Sequence, residues 1–173
     1  MDYKEYAIEN KEPVNLKNLE VNFIPGKDYE SAHKNTIVVC ADVLIYHQGG
    51  YLLVQRNNVP AIGELWPIGG RLQRGISAEE GIRRKAKSEC GLELDNLNLI
   101  NVGRTSFETD PFNHGKGTDT LNLMYVANGK GKIILDQLHS EPTLVTEDVF
   151  EKIKSGLHPY VVDFIKMALS ENR

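Results

Sequence analysis

The sequence has few cysteines and no long apolar run. The two cysteines, Cys40 and Cys90, lie in apolar-rich segments without the spacing of metal ligands, which favours reduced core residues over a disulfide scaffold. The charged start, "MDYKEYAIENKEP", has no apolar signal core, and no run approaches the ~18 apolar residues that span a membrane. We therefore predict a cytoplasmic protein that has no membrane partner.

Basic residues are also too few for a nucleic-acid-binding surface. The 20 lysines and arginines are outnumbered by 24 aspartates and glutamates, which gives a formal net charge of −4. Proteins that bind DNA or RNA phosphates usually present a basic field, so nucleic acid is not an expected partner. What the chain does contain is 40% hydrophobic residues over a length of 173, enough for a folded domain with a full core.

The chain divides into a polar start and one patterned domain. Residues 1–35 are mixed and polar, and we predict an N-terminal arm there, followed by a single domain over 36–173. In the domain, "TIVVCADVLIYHQGGYLLVQR" predicts two strands around Gly49 and Gly50, because glycine readily reaches the positive φ of a hairpin turn. The segment "ETDPFNHGKGTD" (108–119) predicts a loop that can act as a lid and influence substrate choice.

The remaining patterns predict a helix, further strands and a last helix. Ser77 and Glu80 have the spacing of a capping box, so a helix is predicted from about Ala78 and should end at Gly91. Strands are predicted at about 97–107, 120–127 and 132–135, and "HPYVVDFIKMALSEN" has apolar residues at helical spacing. This order predicts an α/β fold in which a mixed sheet is sandwiched by helices.

The segment "GGRLQRGISAEEGIRRKAKSECGL" (69–92) carries the clearest site signal. On the predicted helix, Glu89 lies about 20° from Ile82 around the axis, so its charge falls in the middle of the apolar face. A charge there is unfavourable unless it is paired, protonated or bound to a metal. Two interpretations stay open: Glu89 is a metal ligand, or it forms an ion pair with Lys85 one turn earlier.

This segment resembles the Nudix box, in which a Gly is followed by five residues, a Glu, seven residues and then Arg-Glu-apolar-x-Glu-Glu-x-Gly-apolar. The positions kept from that pattern are Gly70, Arg84, Ala86, Glu89, Gly91 and Leu92. The sequence departs from it at three acids, since Ile76, Lys85 and Ser88 stand where the pattern has Glu. The resemblance implies a Nudix fold.

The flanking segments resemble one branch of that family more narrowly. "LLVQRNNVPAIGELWPIGGRLQRG" and "GTDTLNLMYV" are similar to the GDP-mannose mannosyl hydrolases, whose own box lacks acids at the positions of Lys85 and Ser88. That branch displaces a nucleoside diphosphate from the sugar carbon with inversion, using one magnesium ion and a histidine base. The resemblance therefore implies Mg²⁺ as cofactor and a GDP-mannose-like nucleoside diphosphate sugar as substrate.

The resemblance also implies roles for individual residues. His139 falls on the general base, and Arg56 falls on the arginine that binds and neutralises the departing diphosphate. Asp42 falls near a catalytic acid on the opening strand. Gly69, through its carbonyl, and Glu89, through its carboxylate, fall on the magnesium ligands.

Two more basic residues are expected to contact substrate. Arg71 matches the branch as a further phosphate contact, and Lys85 stands on the metal-facing side of the helix, where its ammonium can reach the diphosphate. Leu138 and Ile76, in contrast, replace a glutamine and an acid of that branch.

Two functions therefore stay open. The one we favour, because a base and an anion clamp are kept, is a hydrolase of a nucleoside diphosphate sugar or related nucleoside diphosphate. The alternative is a catalytically impaired nucleotide-binding protein on the same fold. The arm and the last helix could support a homodimer or could each pack on their own domain.

Overall fold

The computed structural model describes residues 3–21 and 23–171. Its strands are β1 (Ile8–Glu9), β2 (Glu12–Pro13), β3 (Val38–His47), β4 (Gly50–Arg56), β5 (Leu65–Trp66), β6 (Ile68–Arg71), β7 (Glu93–Phe107), β8 (Thr118–Lys130) and β9 (His139–Val145). Its α-helices are α1 (Gly26–Asn35), α2 (Ala78–Cys90), α3 (Glu147–Ile153) and α4 (Pro159–Glu171). Short 3₁₀ turns lie at Leu16–Leu19 and Lys154–Gly156.

A mixed sheet of seven strands forms the centre of the fold. The strand order is β5-β4-β3-β8-β7, with β6 also paired to β3 and β9 to β4. The β3–β8 pair is parallel, and the other pairs are antiparallel. Helix α2 packs on one core face, and α3 and α4 pack on the other. The predicted α/β class, with a sheet sandwiched by helices, is confirmed.

The predicted hairpin is confirmed, with its turn one residue earlier than the sequence indicated. His47 pairs with Gly50 at the end of the β3–β4 ladder. The two turn residues are therefore Gln48 and Gly49, whose φ angles are +47° and +94°. Two positive φ angles in succession match the twist of the flanking strands, which is why a tight turn forms here.

Helix α2 has the predicted bounds. The Ser77 hydroxyl accepts a hydrogen bond from the Glu80 amide at 3.1 Å, and Gly91 ends the helix with φ +76°. The Glu80 carboxylate does not make the second hydrogen bond of a capping box, and other contacts take its place. Glu80 accepts from Arg84 Nε at 2.7 Å, and the Ala78 amide donates to the arm residue Glu5 at 2.7 Å.

The predicted strand at 132–135 is wrong. These residues pair with no described strand, and amides of this segment donate to the end of α2 instead. Ile134 N–H donates to the Cys90 carbonyl at 2.9 Å, and Asp136 N–H donates to the Glu89 carbonyl at 3.0 Å. The segment thereby satisfies the last carbonyls of the helix, which would otherwise lack partners.

The arm and the last helix both pack on their own domain. Arm residue Glu20 lies 3.5 Å from Arg84, and the Tyr29 ring meets Phe112 edge-on with centroids 5.2 Å apart. In α4, Phe164 is fully buried in the core. The boundary at 35/36 stays a prediction, and the predicted arm and domain also include residues 1, 2, 22, 172 and 173, which lie outside the described residues. Within 3–21 and 23–171, no helix is both long and apolar enough to cross a lipid bilayer.

Candidate functional site

A cavity of about 390 Å³ lies where β3, β4, β6, α2 and β9 come together. Its lining includes every residue that the sequence singled out for chemistry: Asp42, Arg56, Gly69, Arg71, Lys85, Glu89 and His139. Residues that are up to a hundred positions apart in the chain therefore share one concave site, although their individual roles stay predictions.

His139 is held in one orientation by a carboxylate. It is the first residue of β9 and pairs with Arg56 of β4. Its Nδ1 lies 2.7 Å from Asp136 Oδ1. Because a carboxylate only accepts hydrogen bonds, Nδ1 carries the proton and Nε2 holds the free lone pair. Nε2 makes no hydrogen bond to any described residue.

Asp136 is a site residue that the sequence reasoning missed. Its Oδ1 also accepts from the Leu138 amide at 2.9 Å, which forms a local turn and fixes the carboxylate beneath the imidazole. The spacing in "DQLH", an acid three residues before a histidine, is the signal that could have identified it.

Arg56 points into the site from the end of β4. Its Nε donates to the Pro60 carbonyl at 2.8 Å, and burial lowers the pKa of the guanidinium, while the nearby Asp42 and Glu89 act to raise it. An arginine remains charged at neutral pH even when its pKa falls moderately. Arg56 is therefore a partly buried positive charge that the Pro60 carbonyl holds in place.

Asp42 is a buried acid on the central strand. Its Oδ2 accepts a hydrogen bond from the Tyr160 hydroxyl at 2.8 Å. Burial raises the pKa of Asp42 to about 6, and the Tyr160 hydrogen bond and Arg56 act in the opposite direction. Burial also raises the pKa of Tyr160, as does the adjacent Asp42. Tyr160, which comes from α4, was not anticipated, because only the tertiary fold brings it to β3.

Gly69 is held against Asp42. A Cβ at this position would overlap Asp42 Oδ1 and the Ala41 carbonyl oxygen. The absence of a side chain therefore lets β6 approach β3 closely at the site.

Lys85 and Glu89 form the ion pair that was one of the two interpretations of this helix face. Lys85 Nζ lies 3.0 Å from Glu89 Oε1. The other carboxylate oxygen, Oε2, is fully buried without a hydrogen-bond partner among the described residues. The ammonium also lies over Gly70, where an added Cβ would be 3.3 Å from Nζ.

This arrangement does not fit a divalent ion at Gly69 and Glu89. Magnesium needs six oxygens in octahedral geometry, and it usually takes at least one accessible carboxylate. Here an ammonium covers one oxygen of Glu89, and the second oxygen is sealed from solvent. Among residues 3–21 and 23–171, no group of three or more His, Cys, Asp or Glu side chains is placed to hold a metal. Magnesium binding at these residues therefore stays a prediction.

The arm and the 108–117 loop form one wall of the cavity. Tyr29 and His33 of α1 line it together with Phe112 of the loop. Arg71 lies over the Tyr29 ring, with its Cζ 4.9 Å from the ring centroid, so the arm also positions a predicted phosphate contact. No sequence signal pointed to Tyr29 or His33 as site residues, because α1 was not predicted.

A buried polar cluster lies across the cavity on β7 and β8. The hydroxyls of Thr105 and Thr120 are 2.6 Å apart, and Asn122 Nδ2 donates to them at 3.2 and 3.1 Å. All three side chains line the cavity. They present hydroxyl and amide groups of the kind that bind sugar hydroxyls or base edges.

Comparisons with known proteins give relatives at low identity. The low-salt glycan biosynthesis protein Agl8 of Haloferax volcanii is 27% identical over 146 residues, which cover 82% of this chain and 88% of that protein. A NUDIX hydrolase from Nitrosomonas europaea has a TM-score of 0.64 at 18% identity, over 80% of this chain and 92% of that one.

A further solved structure is the NUDIX domain of Shewanella oneidensis NrtR complexed with ADP ribose. It has a TM-score of 0.58 at 16% identity, over 84% of this chain and 99% of that one. At such identities the structural likeness establishes the fold alone. The family model of the NUDIX domain matches residues 36–154, and the chain therefore belongs to the NUDIX family.

Proposed function

We propose that this protein hydrolyses a nucleoside diphosphate sugar, GDP-mannose-like, or a related nucleoside diphosphate. The observation that carries the proposal is the His139–Asp136 pair, whose Nδ1–Oδ1 distance is 2.7 Å, in the same cavity as Arg56 and Arg71. A histidine whose second nitrogen is fixed by a carboxylate can act as a general base, and two guanidiniums in the same cavity can stabilise a leaving diphosphate.

The proposed step uses groups of this chain only. Nε2 of His139 takes a proton from a water molecule, whose oxygen attacks the sugar carbon as the bond to the diphosphate oxygen breaks. The electron pair of that bond leaves with the nucleoside diphosphate, and Arg56 and Arg71 balance its negative charge. Asp136 stabilises the imidazolium that forms. The products are the free sugar and the nucleoside diphosphate.

The relatives support the substrate class. The Haloferax volcanii protein is named for glycan biosynthesis, a process that consumes activated sugars, and the Shewanella oneidensis domain binds ADP ribose, a sugar joined to a nucleoside diphosphate. The buried cluster of Thr105, Thr120 and Asn122 supplies partners for sugar hydroxyls. In the NUDIX family a divalent metal usually supplies positive charge at the diphosphate. The resemblance implies magnesium at Gly69 and Glu89, but the Lys85–Glu89 ion pair does not fit an ion there.

A second candidate function is nucleotide binding without catalysis. The observation that favours it is the Lys85–Glu89 ion pair, which occupies the one carboxylate left from the family's acidic set. Turnover distinguishes the two functions.

The test is product analysis with a panel of nucleoside diphosphate sugars. We expect free sugar and nucleoside diphosphate from the wild type, and a fall in kcat of about 100-fold or more in His139→Ala, the usual range for loss of a general base. Asp136→Asn should lower kcat with little change in KM, since its oxygen still accepts from Nδ1 but its charge is lost. Asp163→Asn, the same change on the exposed face of α4, is the matched control.

Two other results would change the assignment. A nucleoside monophosphate product would show cleavage inside the diphosphate instead of at the sugar. Nucleotide binding by calorimetry without turnover of any member of the panel would favour the binding protein.

A further inference from the structure

We propose that the Lys85 ammonium binds the substrate diphosphate in place of a divalent cation, so that this site holds a nucleoside diphosphate without metal. The inference rests on the proposed function, because it assigns the cation that the same cavity offers to the diphosphate. It departs from what the resemblance implies, and it is carried by the contacts of Lys85.

The ammonium lies where the ion would be expected. Lys85 Nζ is 3.0 Å from Glu89 Oε1 and lies over the backbone of Gly70, next to the Gly69 carbonyl that the resemblance implies as a ligand. It therefore contacts one of the two predicted metal ligands, Glu89, directly and lies at Gly70, the residue that follows the other.

Lys85 lies on the open side of the pair. Both side chains line the cavity, and that of Lys85 is 31% exposed against 13% for Glu89, so Lys85 is the more accessible of the two. An ammonium has three N–H donors, and one of them is used by Glu89 in the described part of the chain. The remaining donors can bind phosphate oxygens while Glu89 keeps the nitrogen in place, as a metal ion would bridge a carboxylate and a phosphate.

The charge balance of the cavity favours this arrangement. Without a cation at this point, Glu89 would repel an entering diphosphate at short range in a partly buried site, where such repulsion is weakly screened. Lys85 cancels that charge, and Arg56 and Arg71 outweigh Asp42, the other carboxylate among the described residues that line the cavity. Lysine and arginine side chains form strong charge-assisted hydrogen bonds to phosphate oxygens.

The experiment measures binding of GDP, UDP, ADP and inorganic pyrophosphate by calorimetry, in EDTA and in magnesium. We expect the wild type to bind at least one nucleoside diphosphate in EDTA with an affinity close to that in magnesium. Lys85→Ala should weaken that binding about tenfold or more, the effect of losing one charge-assisted hydrogen bond. Lys85→Arg should retain most of it, which separates loss of charge from misfolding.

Two further variants sharpen the result. Lys87→Ala removes the same charge from the same helix but outside the cavity, where Lys87 pairs with exposed Glu93, and its binding should match the wild type. Lys85→Glu restores an acid of the family pattern, and we expect it to lose binding in EDTA and to bind Mn²⁺ detectably by electron paramagnetic resonance, unlike the wild type.

The outcomes separate this inference from the proposed function. Binding by the wild type only when metal is present, or equal binding by wild type and Lys85→Ala in EDTA, would overturn the role of Lys85 and leave the proposed function intact. Absence of binding to all four probes under both conditions would overturn both.

Discussion

At the level of single residues, the shape of the cavity depends on a glycine as well as on charged side chains. Gly69 brings the β6 backbone onto Asp42, and Asp42 is in turn bound by the Tyr160 hydroxyl of α4 at 2.8 Å. A buried acid held from two sides has little freedom to reorient. Its pKa of about 6 reflects that enclosure more than any one neighbour, since burial is the largest cause.

Gly69→Ala tests this close approach. The added Cβ would overlap Asp42 Oδ1 and the Ala41 carbonyl oxygen, so β6 would have to move away from β3. We expect a loss of about 1–3 kcal/mol in the free energy of unfolding, the usual effect of overpacking, measured by urea denaturation. Gly156→Ala is the control, because a Cβ there meets nothing within 4 Å. Equal stability of the two variants would contradict the close packing at Gly69.

Single residues were predictable where local spacing carried the signal. The position of Glu89 on the apolar face of α2 follows from helical periodicity, and the ion pair with Lys85 was one of two stated interpretations. Tyr160 could not be predicted from the sequence, since it lies 118 positions from its partner Asp42 and no local pattern links them. Asp136 was closer to prediction, but its role depends on a turn that sequence spacing does not specify.

At the level of elements, α1 and the 108–117 loop are joined by a chain of polar groups. The Lys116 amide donates to His114 Nδ1 at 3.1 Å, so Nε2 of His114 carries the proton and donates to His33 Nδ1 at 2.9 Å. Asp110 Oδ2 lies 3.3 Å from His114 Nδ1. His33 must be neutral to accept that bond, and protonating Nδ1 would bring two N–H groups face to face.

This contact predicts a pH dependence of stability. Burial lowers the pKa of His33, as does His114, while Asp110 acts weakly in the other direction. The folded state therefore binds a proton less readily than the unfolded state, so this contribution is present at neutral pH and is lost as the pH falls through the histidine range. We expect His33→Gln to flatten the decline in unfolding free energy between about pH 7 and 5, measured by urea denaturation, because glutamine accepts the same bond without titrating. Parallel declines in both proteins would contradict the prediction.

Elements were predicted where turn and cap residues are local. The β3–β4 hairpin and α2 follow from glycines and a serine cap, whereas α1 has only one buried residue, His33, and no apolar stripe to reveal it. The apolar run at 132–135 resembles a strand because Ile133 and Leu135 do pack on the core. Its hydrogen bonds go to α2 instead of to the sheet, which a period of two in hydrophobicity cannot distinguish.

At the level of the whole molecule, the arm lies outside residues 36–154 of the family domain and still contributes to the cavity. Tyr29 and His33 line the wall, and Tyr29 supports Arg71. The fold itself was predictable, because turn residues, a helix cap and hydrophobic periodicity give local signals at many places along the chain. The arm's position was not, because it rests on tertiary contacts alone.

Deleting residues 1–35 tests the division into arm and domain. We expect the remaining chain to keep its far-ultraviolet circular dichroism, to melt at a lower temperature, and to lose substrate affinity more than turnover. The arm forms part of the wall and contacts Arg71, and its described residues make no hydrogen bond or ion pair with His139. The measurements are the melting temperature and the separate values of KM and kcat. A collapse of kcat with unchanged KM would place the arm in the chemistry instead.

The central strand β3 has bonded neighbours on both edges, β8 along Val38–Tyr46 on one and β6 and β4 on the other. Asp42 stands within that strand, and Arg56 and His139 stand on the adjoining ladder. The facing wall, from α1 and the 108–117 loop, belongs to none of these ladders. A change in the outer wall, by evolution or by design, therefore alters the shape of the cavity and the support of Arg71, while Asp42, Arg56 and His139 keep their places on the sheet.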